Sequence, residues 1–560
     1  MKGLNVSIVA LVAALAVPAQ AQEIELDEIV VTANRTETER SRTGASVSVI
    51  ARADLQRAGN SLKDSLAREP GFSLASQGPY GNSANLTLRG AQGRYIAVFV
   101  DGIRVDDPSG FTTSYEFGSL MSAGVGRIEV LRGSQSSLWG GSAVAGVISV
   151  ESPKAWDEGT HQEVTVEGGT QGSATLSYGL TQKTGPLELT LNASLVHTEG
   201  FSAAASAELV VNNSRTQIPA SEADGAEAVR LSFGVRYALN DILTIGGNLF
   251  LHRLQQEFDG FSYNLGIPID ADERQNMDEQ GARVFAELQT GNTQHVLSLS
   301  NYQIARDYFS IGQSTSSYDG ERNRLDWTAT TDFGDGLRFV LGADATDELA
   351  DVFTGATNTR ESVWTAGIFA QGLWALSEDL DLSGTLRRDQ NENFGGFSTG
   401  RVAMAWRPSA DLTLRAAAAT GFRAPSLNEL YADYSVANPN VNNPSFANNP
   451  NLSPETSQSF EFGIEKVFAN EATLALTAFR LNIDNRIGNR CTVALVNGGC
   501  PSFSYMPDNF PGKSVRKGIE LSANLPIHNY GSLNLSYAYL DANSATGTRI
   551  NGVARHNLNI

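Results

Sequence analysis

Cysteine is nearly missing from this chain, which holds two in 560 residues, Cys491 and Cys500. A disulfide scaffold is therefore excluded, and the wide spacing of the two, with no histidine between them, argues against a metal pair. In an oxidising compartment they are expected to form one local disulfide. Histidine is also scarce: the six are scattered, and no pair of them marks haem capture. Positive charge is in deficit, and a formal net charge of −20 speaks against a nucleic-acid partner. No run reaches the roughly 18 apolar residues of a spanning helix. No nucleophile–base or metal-ligand spacing stands out, so the chain is not read as an enzyme.

What is present begins with an export signal over residues 1–21. Lys2 gives a positive start, Val6 to Val17 is almost all apolar, and Ala19-Gln20-Ala21 is a small-residue cleavage site. Glycine is abundant at 54, and hydrophobic residues reach 41%, a mixture that suits many strands joined by turns. From about residue 162 the apolar positions alternate. Leu187, Leu189, Leu191, Ala193 and Leu195 interleave with Glu188, Thr190, Asn192 and Ser194. Ile519, Leu521, Ala523 and Leu525 interleave with Glu520, Ser522 and Asn524. A period of two sets one face in an apolar medium and the other in a polar one.

The connections take turns between short and long. Asn240-Asp241, Gly334-Asp335-Gly336 and Ser377-Glu378-Asp379 are tight. The stretches 198–227, 255–281, 306–322, 347–362, 421–457 and 485–514 are expected as long polar loops. That asymmetry is the pattern of an outer-membrane barrel, with short periplasmic turns and long outer loops. Roughly 18 strand candidates have the length of a tilted membrane strand. The last, Ala554 to Ile560, is expected to be cut off in mid-strand, so the barrel is read as incomplete at its C-terminus. Residues 41–153 differ. A helix is expected over Ala53–Arg68, amid short strands and glycine turns, as a compact α+β domain ahead of the barrel.

Just past the cleavage site lies DEIVVTANR, Asp27 to Arg35. It is β-branched and apolar, with no partner strand evident nearby. It reads either as an ordinary first strand or as a free segment for pairing with another protein's sheet edge.

The ordered motifs resemble the TonB-dependent outer-membrane receptors over essentially the whole mature chain. Asp27-Glu28-Ile29-Val30-Val31-Thr32-Ala33 looks like that family's Ton box. Leu88-Arg89-Gly90, Val98-Phe99-Val100-Asp101-Gly102-Ile103-Arg104 and Arg127-Ile128-Glu129-Val130-Leu131-Arg132-Gly133 resemble its plug signatures. Ser137-Leu138-Trp139-Gly140-Gly141 and Ala145-Gly146-Val147-Ile148 continue the last of these. In the barrel, Gly421 to Tyr431 and Asn449 to Glu455 also fit.

The resemblance implies an all-β transmembrane barrel of about 22 strands with an α+β plug in its lumen. It divides the chain into signal 1–21, Ton box and linker 22–40, plug 41–153 and barrel 154–560. It implies TonB of the inner-membrane energising complex as a partner, which would capture Asp27–Ala33 by β-augmentation. Outer-membrane lipid and lipopolysaccharide of a Gram-negative bacterium would surround the wall. Arg89, Gly90, Asp101, Gly102, Arg127, Glu129, Arg132 and Gly133 take structural and gating roles, with Arg89, Arg127 and Arg132 facing wall carboxylates.

Within the family the chain looks most like the cobalamin receptors, with the ferric-siderophore receptors as the alternative and a passive porin-like channel as a different class. Ligand contacts are expected at the plug apices, from Tyr80, Asn82, Phe111 and Tyr115. Calcium is a candidate cofactor, held by Glu222, Asp224, Asp259, Asp270 and Asp272 in the outer loops.

Overall fold

The computed structural model describes residues 28–59, 61–76, 78–202, 207–211, 214–218, 223–262, 267–310, 312–354, 357–432, 448–492, 500, 505–527 and 531–560. The export signal, Asp27 and Glu222 lie outside the described residues, as do the side chains of Asp270 and Asp272.

Eighteen strands form one sheet in chain order, from Gly159–Gly168 to His556–Asn559. Each is antiparallel to the next, as where Glu455–Val467 pairs Thr473–Cys491. The alternation read from the sequence is inside out relative to a soluble protein. Along Leu187–Thr198, Leu191 and Leu195 are exposed while Asn192 and Ser194 are buried. Along Glu455–Val467, Phe460 and Phe462 face outward, and Ser457 and Ser459 face the lumen. A lipid-facing wall needs this arrangement. Apolar side chains meet the hydrocarbon, and each strand between the two ends of the sheet pairs its backbone on both sides, as hydrocarbon demands. No described helix is long and apolar enough to cross a membrane.

The expected loops 255–281, 306–322 and 347–362 are mostly strand. Leu243–Ser262, Ile267–Thr290, Thr293–Ser310 and Gln313–Asp332 run 18 to 24 residues. A tilted strand needs only about 9–11 to cross the bilayer. Beyond the lipid both faces meet water, so alternation is lost, but the hydrogen-bond ladder continues. The sequence pattern reports the first and not the second.

The lumen holds the N-terminal domain. Its main sheet combines β3 (Val47–Ala51), β6 (Ile96–Val100), β7 (Ile103–Arg104), β8 (Arg127–Arg132) and β9 (Gly146–Glu151), in the order β3-β8-β9-β6-β7. Hairpins β1 (Ile29–Val30) with β2 (Thr38–Glu39), and β4 (Phe72–Ser76) with β5 (Ala84–Leu88), flank it. The expected single helix is two, α1 (Arg52–Ala58) and α2 (Leu62–Ala67), because Gly59 takes φ +86° and ends the first. One apolar cluster joins Leu55, Leu62, Val98 and Ile148 of the plug to Phe250, Tyr302 and Ile483 of the wall.

Two signatures become turns. Asp101 (φ 48°) and Gly102 (φ 79°) form the tight link between β6 and β7, in the left-handed region that two-residue hairpins demand. Arg89 (φ 51°) and Gly90 (φ 71°) repeat it between Leu88 and Ala91. That turn aims the Arg89 side chain out of the plug.

An arginine in place of an outward residue of the apolar band should cost about 2–4 kcal/mol. Leu231→Arg is expected to lower stability by that amount in urea titrations of folding into lipid vesicles. No measurable loss would contradict the assignment of this face to lipid.

Candidate functional site

The N-terminal segment is docked rather than free. Ile29 and Val30 pair with Glu39 and Thr38, a partner too short to be evident in the sequence. Val30 and Ala33 are fully buried against Ala45, Val47, Phe99 and Val147. The anchor is Glu129 on β8, itself fully buried. Its carboxylate accepts the backbone N–H groups of Val31 (3.0 Å) and Thr32 (2.8 Å) and the Thr32 hydroxyl (2.6 Å). Arg127 pairs with the same carboxylate and donates to the Ile29 carbonyl at 2.7 Å. The Trp139 indole donates to the Thr32 carbonyl at 3.0 Å. Hydrogen bonds to an ionised acceptor contribute about 1.5–3 kcal/mol each, so one carboxylate holds most of the segment.

Arg35, just beyond, reaches the wall. Its guanidinium lies 2.5 Å from Asp326 and stacks 4.8 Å from the Trp139 ring. Asp326 joins Arg324, Asp344, Arg387 and Asp389 in a buried lattice of alternating charge. Nearby, Arg338 donates to the Glu37 carbonyl and Arg407 to that of Ser41. These contacts set the segment at the short-turn end of the barrel, the periplasmic side.

Of the three plug arginines expected to face the wall, only Arg89 does so in ion pairs. It grips Glu520 with two hydrogen bonds of 2.9 Å and Glu461 with a third. All three residues are nearly closed to solvent. Arg127 turns to Glu129 within the plug. Arg132 donates to the Pro70 carbonyl and Ser48 and faces Glu69 at 3.4 Å. Both sit on β8, in the middle of the plug sheet, where plug partners are nearer than the wall. Gly133 carries φ 80° as β8 ends.

At the opposite end, the four expected ligand contacts separate. Phe111 is exposed, and with Tyr115 it lines a cavity of about 470 Å³ shared with Gln92, Arg94, Glu116, Glu429 and Arg486. Tyr115 is largely buried against Phe117. Tyr80 donates to the Ser119 carbonyl, and Asn82 is buried with its amide on the Glu257 carbonyl. Those two hold the apex in place and do not face the cavity. Glu116 accepts from the Ala84 and Gly118 N–H groups and the Ser83 hydroxyl, yet burial pushes its carboxyl above the ordinary range.

Of the five expected calcium ligands, only Asp224 and Asp259 have described side chains. Asp259 accepts from Ser202, while Asp224 is buried where the chain passes Gly200. Among the described residues no group of three or more acidic, histidine or cysteine side chains could hold a metal. Glu222 and the side chains of Asp270 and Asp272 lie outside the described residues, and no step below passes through a calcium ion. Cys491 and Cys500 are bonded to each other beside the outer strand ends.

Arg35, Asp326, Glu461 and Glu520 were not singled out in the sequence, although a signal for two existed. Glu461 stands between Phe460 and Phe462, and Glu520 between Ile519 and Leu521. An acid alternating with lipid-facing apolar residues must point into the lumen, where it needs a cation.

Two family models match the chain: "TonB-dependent Receptor Plug Domain" over residues 39–147 and "TonB dependent receptor-like, beta-barrel" over 157–560. A relative named Vitamin B12 transporter BtuB, from Photobacterium profundum, is 26% identical, covering 95% of this chain and 81% of its own length. A ferric enterobactin receptor (PfeA) from Pseudomonas aeruginosa superposes with TM-score 0.75 at 18% identity, over 91% of this chain and 82% of that one. The siderophore receptor PirA from Acinetobacter baumannii gives TM-score 0.72 at 16% identity, over 91% and 82%. At those identities the two structures speak for the fold alone.

Glu129→Ala removes the shared acceptor and should free the segment at Ile29–Ala33. Amide exchange at Val31 and Thr32 is expected to accelerate roughly 10- to 100-fold, while barrel amides are unchanged. Unaltered exchange at both amides would contradict the anchoring role.

Proposed function

The chain belongs to the TonB-dependent receptor family, and on that premise we propose that it binds a corrinoid at the outer surface and imports it into the periplasm using energy delivered by TonB. Receptors of this family are outer-membrane transporters, and the chemistry here is binding and conformational release. The observation that carries the reading is the docking of Ile29–Ala33 at the periplasmic end. It is held by a two-residue strand pairing and by one carboxylate, Glu129. Each backbone hydrogen bond lost on release is one that an incoming strand of TonB can replace by β-augmentation. A pull along the chain then acts first on Arg35, next on the stretch leading into β3.

Charge at the apex favours the corrinoid over an anionic ferric chelate. The cavity beside Phe111 balances Arg94 and Arg486 against Glu116 and Glu429. Its neighbour, lined by Asp107, Glu116, Glu279 and Arg306, has more acids than bases. A polyanion gains little from such walls, whereas aromatic edges and mixed polar groups suit a large amphipathic ligand. The relative named Vitamin B12 transporter BtuB, matched over 81% of its length, supports the same reading.

Cyanocobalamin should bind the detergent-purified protein saturably, and deleting Ile29–Ala33 should abolish uptake into cells while leaving that binding intact. Ferric-siderophore binding in place of cyanocobalamin would overturn the ligand. Uptake that survives the deletion would overturn energised transport.

A further inference from the structure

Arg401 sits on the inward face of the strand Gly395–Ser409 and is 4% exposed. Neither Nη1 nor Nη2 has a hydrogen-bond partner. Its neighbours along the wall are all matched: Arg387 by Asp344 and Asp389, Arg415 by Glu465, Arg423 by Glu429 and Glu455. A buried guanidinium without a partner is costly, so its presence calls for a reason outside the resting state.

The carboxylate that acts on it electrostatically is Glu461. In the resting state Glu461 is committed to the plug, accepting from Arg89 at 2.9 Å and from the Ser46 backbone N–H at 3.1 Å. On the wall, Arg401 lies opposite Ala419, and Ala417 lies opposite Glu461. Ala403, Ala417 and Ala419 line the strip between the guanidinium and the carboxylate, with Ser459, opposite Ala419, at its edge. The plug covers that strip. The Gly44 backbone is pressed on it so closely that a Cβ there would come within 2.5 Å of the Met404 nitrogen. Gly44 to Ser46 lead directly into β3 and follow the TonB-binding segment.

We propose that Arg401 is a positioning residue of the transport cycle, which takes over Glu461 when a pull lifts Gly44–Ser46 from the wall and Arg89 from that carboxylate. This rests on the reading of the chain as an energised transporter. The exchange leaves no charge stranded. Arg89 keeps Glu520, Glu461 gains Arg401, and the orphan cation of the resting state is satisfied. Without the exchange, opening would leave Glu461 buried and uncompensated, the costly way to break an ion pair. The alanine strip supplies the reach, and the plug segment that covers it is the barrier that the pull removes.

The test is a constant-force pull on the N-terminus of the full chain in a lipid bilayer, reading the rate of the first plug extension. Arg401→Gln should slow it roughly tenfold, the scale of coupling within one charge network, and Arg401→Lys should restore most of it. In a Glu461→Gln background, Arg401→Gln should have no further effect. A merely structural arginine would lower the thermal midpoint when replaced. Here Arg401→Gln should leave it unchanged or raise it. An unchanged extension rate, an equal slowing in both backgrounds, or a lowered midpoint would each overturn the hand-off. A wild-type plug that never extends before the barrel breaks would overturn the transport reading, and the hand-off with it.

Discussion

A guanidinium withdrawn from water must meet a carboxylate, and the lumen of this barrel is organised by that requirement. The wall turns most of its apolar side chains to lipid, so apart from apolar clusters such as the one around Phe250, Tyr302 and Ile483 its inner face is polar. Arg89 with Glu461 and Glu520, and Arg35 with Asp326, supply the grip. Such pairs contribute little net stability relative to apolar packing, yet removing one partner is severe. They define where the plug sits without fusing it to the wall. A plug held this way can be displaced, provided that each charge finds a partner on the way.

The periplasmic end follows the same logic on a smaller scale. Glu129 is buried because β8 lies mid-sheet, and a buried carboxylate is satisfied by the N–H groups of Val31 and Thr32. The segment that must be offered to a partner is thus the one that satisfies Glu129. Its release exposes a carboxylate already paired with Arg127, so the anchor remains neutralised after the strand departs. The two-residue pairing with Thr38–Glu39 is short enough to yield to a longer strand.

The barrel was legible in the sequence because lipid enforces a strict period of two, visible at Leu187–Leu195 and Ile519–Leu525. The strands above the bilayer were not, since water on both faces relaxes that period at residues 255–281 and 306–322. Signature glycines could be read as turns, but which arginine reached the wall depended on tertiary placement. Arg89 leaves the plug on a left-handed turn, whereas Arg127 and Arg132 end on partners within the plug. The sequence left the N-terminal segment open between a first strand and a free end because its anchor lies about a hundred residues on, at Glu129. At the apex, residue type suggested binding for Tyr80 and Asn82. Their polar ends serve the Ser119 and Glu257 carbonyls, a use that composition does not reveal.

The central claim is that the plug is a separately removable unit, held in a stable barrel by a few charge pairs. Native-state hydrogen exchange of the whole protein in lipid discs tests it most directly. Amides of β3, β8 and β9 should exchange together through an opening of lower free energy than that of the barrel strands. Their opening should become easier as salt is raised. Exchange of plug and barrel in one cooperative step, insensitive to salt, would contradict the account.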